Sequence, residues 1–356
     1  MKYTIAILKN ELQDSHERWL ASCTNKNLIA DIIDLTAYDW YERITSKDYS
    51  VFLLQPPGLT FRFKELYDER AYIISKVMNK FIFPTYEELI LHENKRFLSF
   101  FLKANSIPHP ETWVFYRKEE AMNFIRNTKF PLAAKTSIGA SGGGVKFLKS
   151  REQAINYIHK AFARGIRRQI GPNRNTGTVK QWTMKFLQSP QFGIDRIKLY
   201  LEEYKDVQKG FIIFQEYIPH DFEWRSVRIG DSYFAHKKVK MGEKASGSKR
   251  IDFVNPPESI LNFTKKICDR FHFTSMAIDI FENGRENYLV NEMQTVFGHL
   301  MPYILKVDEK IGRYIYLDNQ WKFEEGGGFN STESYDLRLE AALNLAETFH
   351  TYPHDS

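Results

Sequence analysis

Apolar residues first recur with strand spacing in MKYTIAILKN, and again in YSVFLLQPP. Each run is followed by a polar stretch of helical character, and FIFPTYEELI closes the pattern. Residues 1–93 therefore read as a small α/β unit. At Asn94 the spacing changes: NKRFLSFFLKAN predicts a helix, stopped before IPHPETWVF, where two prolines impose an extended path. From Phe130 the pattern becomes short strands and glycine-rich turns. GFIIFQEYIPHDFEWRSVRIGDSYFAHKKVK (Gly210–Lys240) reads as strand, hinge at Tyr217-Ile218-Pro219, strand, Gly230-Asp231 turn, strand. Ser275–Phe281 and Tyr288–Gln294 form a predicted hairpin around Glu282-Asn283-Gly284-Arg285. RYIYLDNQWKF predicts a second hairpin, and a last helix begins near Tyr335. Residues from Arg164 to about Gly210 are basic and irregular, with a helical stretch after RGIRRQIGPNRNTGTVKQWTMKF. No internal repeat is evident.

Composition narrows the class. A chain of 356 residues with 43% hydrophobic content can bury two or three domains. Two cysteines, Cys23 and Cys268, make no disulfide framework, so a reducing compartment, the cytoplasm, is expected. The first residues read as a strand followed by charge rather than a signal peptide, and no apolar run has bilayer length. The net charge of +6 favours anionic ligands. Lysine and arginine are scattered and no nucleic-acid module is visible, so phosphates and acidic substrates are expected, not nucleic acid.

The predicted hairpin carries the most specific chemistry. With the turn at Gly284, Asp279 faces Glu292 across the strands at about 4.5–5.5 Å between Cβ atoms, close enough to share hard cations. Gln294 points to the same face and adds a neutral oxygen. The alternative is a surface hairpin of unpaired acids. With Glu292 as a metal ligand, its replacement by alanine is expected to abolish turnover and leave the fold intact, since a surface hairpin acid adds little stability. A second signal is FPLAAKTSIGASGGGVKFL (Phe130–Leu148): a strand ending at Lys135, a loop ending in Gly142, Gly143 and Gly144, then another strand. Converging backbone N–H groups and one lysine suit a phosphate, though such loops are more often plain turns, as EGGGF (Glu325–Phe329) is read. The lysine precedes the glycines, unlike a P-loop. Glu216 ends an apolar strand, a costly place for a carboxylate without a donor. Phe234, His236, Lys238 and Lys240 share one strand face, which by itself reads as a solvated meander with a packed histidine.

Taken in order, FPTYEELILHENK, IPHPET, FPLAAK…GASGGGV, FQEYI…FEWRSVRIGD and AIDIF…VNEMQ resemble the ATP-grasp superfamily. The branch most similar is the glutathione-synthetase and ribosomal-protein glutamate-ligase type. The resemblance covers roughly residues 94–298, with a smaller match of 1–93 to the α/β domain that precedes the grasp. It implies an α/β (α+β) fold: an N-terminal domain 1–93, a grasp domain 94–300 carrying a basic insertion about 164–210, and a C-terminal hairpin and helix 301–356.

By the same resemblance, Lys95 and Lys135 bind ATP phosphates under the loop of Gly142, Gly143 and Gly144. Glu216 with the Tyr217 and Ile218 backbone holds the adenine edge, and Glu223 takes the ribose hydroxyls, where aspartate is common. Asp279, Glu292 and Gln294 ligate Mg²⁺, two ions being expected and Mn²⁺ an acceptable substitute. Arg225, Lys238, Lys240 and Arg250 are the candidates for stabilising an acyl phosphate. Two departures stand out: Gln294 replaces the usual asparagine, and lysines stand where the family commonly places arginine. The implied activity is ADP-forming ligation of a small-molecule or peptide carboxylate to an amine or thiol. The alternatives are a grasp-fold kinase and a non-catalytic ATP-binding protein. The basic insertion reads either as a recognition segment for an acidic acceptor or as a solvated, homo-oligomer-forming one. In the first domain, the Gln55-Pro56-Pro57-Gly58 turn ends a strand where open α/β sheets place their crevice.

Overall fold

The computed structural model describes residues 3–12, 14–139, 143–167, 190–241, 244–245, 251–284, 286–297 and 301–351. Its elements build three sheets.

The first is parallel, in the order β2 (Ala30–Asp34), β1 (Ile5–Lys9), β3 (Val51–Leu54), β4 (Ile82–Phe83). Strand alternation sends Ala6 and Leu8, with Phe52 and Leu54, to one face, where Tyr67, Ala71 and Leu89 of two helices cover them. Ile5, Ile7, Val51 and Leu53 go to the other face. They are covered by Trp19 and by Tyr335, Leu339, Ala342 and Ala346 of the helix Tyr335–Thr351. A parallel sheet needs cover on both faces, and the last helix of the chain supplies half of it. β2 is absent from the sequence reading because its ADIID pattern carries acids on a half-open edge strand.

The second sheet is antiparallel, in the order β5 (Thr112–Phe115), β8 (Ile212–Glu216), β6 (Leu132–Lys135), β7 (Val145–Leu148). The helices Lys118–Phe124 and Arg151–Ala163 pack on it. The helix Pro190–Lys205 follows residues 168–189, which lie outside the described set.

The third sheet runs β14 (Tyr288–Gln294), β13 (Ser275–Glu282), β9 (Phe222–Ile229), β10 (Ser232–Met241), β16 (Lys310–Leu317), β15 (Lys306–Val307). β11 (Lys244–Ala245) and β12 (Ile251–Asp252) add to β10, and β17 (Gln320–Glu325) adds to β16. Met276, Ile278 and Ile280 pack beneath the helices Lys95–Ala104 and Glu258–Arg270. The odd positions of β13 face the opposite way, Ala277 against Val227, Phe297 and Leu305, and Asp279 and Phe281 toward the second sheet. This mixed α+β architecture is the fold class expected from the sequence. Among the described residues no helix is long and apolar enough to cross a membrane, and both cysteines are free and buried.

Candidate active site

A cavity of about 390 Å³ lies between the second and third sheets and opens toward the C-terminal ends of β1 and β3. Its upper wall is apolar, formed by Ala133, Val145, Phe147, Ile218 and Phe281; its floor is charged.

The floor rests on strand register. Asp279 pairs with Glu292 across β13 and β14, as the sequence predicts, and with Arg225 of β9 on its other side. Arg225 Nε and Nη2 donate to the two Asp279 oxygens at 2.8 and 2.9 Å. Lys238 donates to Asp279 at 2.6 Å and to its own cross-strand partner Glu223 at 2.8 Å. Lys95 stands 2.8 Å from Glu292 Oε1 and 3.3 Å from Glu93 Oε2. The Lys95–Glu292 contact is an ion pair by distance, and among the described residues that buried Glu292 oxygen has no other partner. Four carboxylates (Glu93, Glu223, Asp279, Glu292) thus face four cations (Lys95, Lys135, Arg225, Lys238), all lining the cavity.

This pairing sets the protonation states. Burial pushes the Asp279 pKa up, but Arg225 and Lys238 outweigh it and hold the carboxyl well below its usual range. Burial likewise opposes ionisation of Glu292, and Lys95 overrides it, so its pKa is also lowered. Lys95, despite burial, is raised by Glu292 and Glu93. Lys135 goes the other way: burial lowers it to about 8, with Glu292 opposing. Lys135 donates to Asn291 Oδ1 at 2.7 Å, a neutral partner.

The sequence-derived candidates fall into three groups. Lys95, Lys135, Glu223, Arg225, Lys238, Asp279, Glu292 and Gln294 all line this cavity with Glu216, Tyr217 and Ile218. Glu216 is exposed and its carboxylate accepts from the Glu111 backbone N–H at 3.4 Å, so its position at the end of β8 does not bury it. Gly144 closes the loop against Gly139, where an added Cβ would lie 2.9 Å from the Gly144 Cα, and Gly143 sits beside it; Gly142 lies outside the described residues. Lys240 shares its strand face with Lys238 but reaches the Tyr217 hydroxyl, at 3.3 Å, and does not line the cavity. Arg250 lies outside the described residues. His236 is buried, its Nδ1 3.0 Å from the Ile304 carbonyl.

Two residues of the floor escape the sequence reading. Asn291 would face away from the cavity in a regular strand, but the register shifts between Asp279 and Ile280, and the bulge turns Asn291 to the same side as Glu292. Glu93 stands within the ENK segment, read only for its lysine, and is almost wholly buried. A carboxylate just before the Asn94 helix cap was the available signal.

The acids are also not surface acids. Asp279 and Glu292 both carry a buried cation's charge, so their removal affects stability as well as chemistry.

No protein-family model and no curated protein matches the sequence. Solved structures do. A RimK domain ATP-grasp protein from Sphaerobacter thermophilus aligns over 82% of this chain and 90% of its own, at 14% identity and TM-score 0.51. D-alanine–D-alanine ligase from Bacillus anthracis aligns over 97% and 99%, at 11% identity and TM-score 0.54. The biotin carboxylase domain of Hydrogenobacter thermophilus 2-oxoglutarate carboxylase, solved with MgADP and bicarbonate, aligns over 85% and 66%, at 13% identity and TM-score 0.53. The chain has the ATP-grasp fold.

The donor chemistry can be tested against a hard divalent cation. Among the described residues no group of three or more His, Cys, Asp and Glu side chains forms a cage. Two facing carboxylates and the Gln294 amide remain, all hard oxygen donors of the type Mg²⁺ takes. In this structure Glu292 Oε1 is held by the Lys95 ammonium at 2.8 Å, so a bound cation would share or replace that charged contact. The set fits.

Proposed function

We propose that this chain is an ATP- and Mg²⁺-dependent ligase that joins a carboxylate to an amine or thiol and releases ADP and phosphate. The observation that carries this reading is the facing Asp279–Glu292 pair on a buried floor that also gathers Lys95, Lys135, Arg225 and Lys238. Such a floor matches a polyphosphate with its cations, and the apolar slot of Ala133, Val145, Phe147, Ile218 and Phe281 is suited to a flat base.

In this reading a substrate carboxylate oxygen attacks the γ-phosphorus, and the bond to the β,γ-bridging oxygen breaks. ADP leaves and an acyl phosphate remains. A neutral amine then adds to the acyl carbon, and the tetrahedral oxyanion collapses with loss of phosphate, which carries off the proton. Asp279, Glu292 and Gln294 would hold Mg²⁺, which when bound would neutralise charge on the phosphates. Lys95 and Lys135 hold the phosphate chain. Arg225 and Lys238, both bound to Asp279 here, are donors to the transferred group and the oxyanion. The side chains of Gln55, Asn10 and Gly58's turn border the far end of the cavity, where the acceptor enters.

The test is turnover of Mg²⁺-ATP with pooled carboxylates and amines, read by mass spectrometry. ADP and phosphate with a product lighter by one water than its parts is expected. ADP with a phosphorylated acceptor, or binding of ATP without turnover across exhaustive pools, would overturn the ligase reading.

A further inference from the structure

Glu93, on the site floor, contacts the glycine loop, the helix Lys95–Ala104, the strand β14 and the first domain. Its Oε2 accepts from the Gly139 N–H at 2.9 Å, at the root of the glycine loop, and from Lys95 at 3.3 Å. Its Oε1 accepts from Gln294 Nε2 at 3.2 Å, on the hairpin strand β14. From the first domain, Gly58 approaches so closely that an added Cβ would lie 3.0 Å from Glu93 Cγ. Only 3% of Glu93 is exposed, and its backbone is left-handed, with φ +48°. A glutamate takes that conformation at a cost, so the surrounding contacts must impose it.

Gln294 explains the other half. Glu93 takes the Nε2 side of the amide, which leaves the carbonyl Oε1 as the atom available to a cation. A bound ligand oriented in this way by a second residue is a recurrent device in metal sites. The extra methylene of Gln294, relative to asparagine, is what lets one side chain stand beside Glu292 and still reach Glu93.

We propose that Glu93 is a positioning residue that couples the root of the glycine loop to the metal-facing hairpin, and that it orients the Gln294 amide toward the cation. This rests on the ligase reading only for its metal half; the coupling between Gly139 and Gln294 is a property of the ligand-free protein. Glu93 itself takes no part in the bond changes. Its oxygens are all engaged by protein donors, so its action is through Gly139, Lys95 and Gln294.

Two variants separate the possibilities. Glu93→Gln keeps the shape but puts an amide N–H₂ against a donor at one of its two contact sites. Gln294→Asn keeps the amide and withdraws it from Glu93. Amide exchange of the Thr136–Gly139 segment, measured on the ligand-free protein, should rise in Glu93→Gln and also in Gln294→Asn, though Gln294 does not touch that segment. Mn²⁺ affinity in the presence of ADP, read by electron paramagnetic resonance, should fall about ten- to hundredfold in Glu93→Gln. The double variant should lose no more than the worse single one. A Gln294→Asn protein whose Thr136–Gly139 exchange equals wild type overturns the coupling. Wild-type Mn²⁺ affinity in a folded Glu93→Gln protein overturns the orienting role. Failure of the wild-type protein to bind Mn²⁺-ADP at all would count against the ligase reading and the orienting role, while the exchange result would still decide the coupling.

Discussion

Lys135 and Asn291 stand 156 residues apart in the chain and meet at 2.7 Å, the ammonium of β6 against the amide oxygen of the bulged residue of β14. This contact bridges the two sheets across the cavity. It also gives Lys135 a neutral partner, where Lys95 and Lys238 have carboxylates.

The first prediction follows from that difference. Burial lowers Lys135 to about 8, so in the free protein it loses its proton as the pH rises through that value. A polyphosphate favours the charged form, so nucleotide affinity should be flat below pH 8 and weaken above it, by at most tenfold per pH unit. Titration calorimetry from pH 7 to 9.5 should show proton uptake on ATP binding at the alkaline end. Lys135→Arg should remove that dependence; an unchanged pH profile in the arginine variant would assign it to another group.

Removing metal-facing charge should cost both activity and stability. Glu292→Gln is expected to lower the rate of ADP release by a hundredfold or more. Glu292→Ala should also lower unfolding free energy by about 3 kcal/mol, because Lys95 stays buried with Glu93 as its remaining anion. Chemical denaturation of both variants checks this. An alanine variant as stable as wild type would return Glu292 to the solvated hairpin acid of the sequence reading.

His92 provides a stability signature. Burial, with Lys64 and Lys95 nearby, lowers its pKa to about 3, and among the described residues its Nδ1 has no hydrogen-bond partner. The folded value lies below the unfolded one, so the stabilising contribution is present above about pH 6.5 and is lost as the pH falls toward 3. Relative to His92→Asn, wild-type stability should decline by about 1.4 kcal/mol per pH unit between pH 6 and 4. Urea unfolding at pH 7, 5.5 and 4.5 measures the gap between the two proteins; a constant gap contradicts a buried neutral imidazole.

The last helix can be probed through Leu339, which is fully buried against the first sheet. Leu339→Ala should cost about 2–5 kcal/mol and lower the stability of the first domain. Hydrogen exchange of β1 and β3 should accelerate in this variant, whereas exchange in the second sheet should not.

How far the sequence carries can be judged from these same residues. The hairpin was legible because its turn and its alternation fix the register, and Asp279 opposes Glu292 as spacing alone predicts. Lys135 was legible from local order, a lysine ending a strand before glycines, whereas Lys95 came only from the resemblance to the ATP-grasp superfamily. Asn291 was not, since a one-residue bulge reverses the face that alternation assigns. Glu93 was not, since its importance lies in contacts with Gly139 and Gln294 that no local pattern encodes. The choice between Lys238 and Lys240 likewise needed the third dimension: they share a face, but only one has Asp279 across the sheet. The helix Tyr335–Thr351 was legible as a helix, but its partner sheet, some three hundred residues earlier, was not.

That distance has a temporal consequence. Tyr335 donates to Gln55 across 280 residues and, with Leu339, Ala342 and Ala346, roofs a sheet made from residues far earlier in the chain. At about 5–20 residues per second, the ribosome delivers this roof roughly 15 to 60 s after β3. Throughout that interval Ile5, Ile7, Val51 and Leu53 have Trp19 upon them but lack the half of their cover that Tyr335, Leu339, Ala342 and Ala346 supply. The Gln55–Gly58 turn that borders the cavity therefore gains its Tyr335 partner only after some 280 further residues have been made.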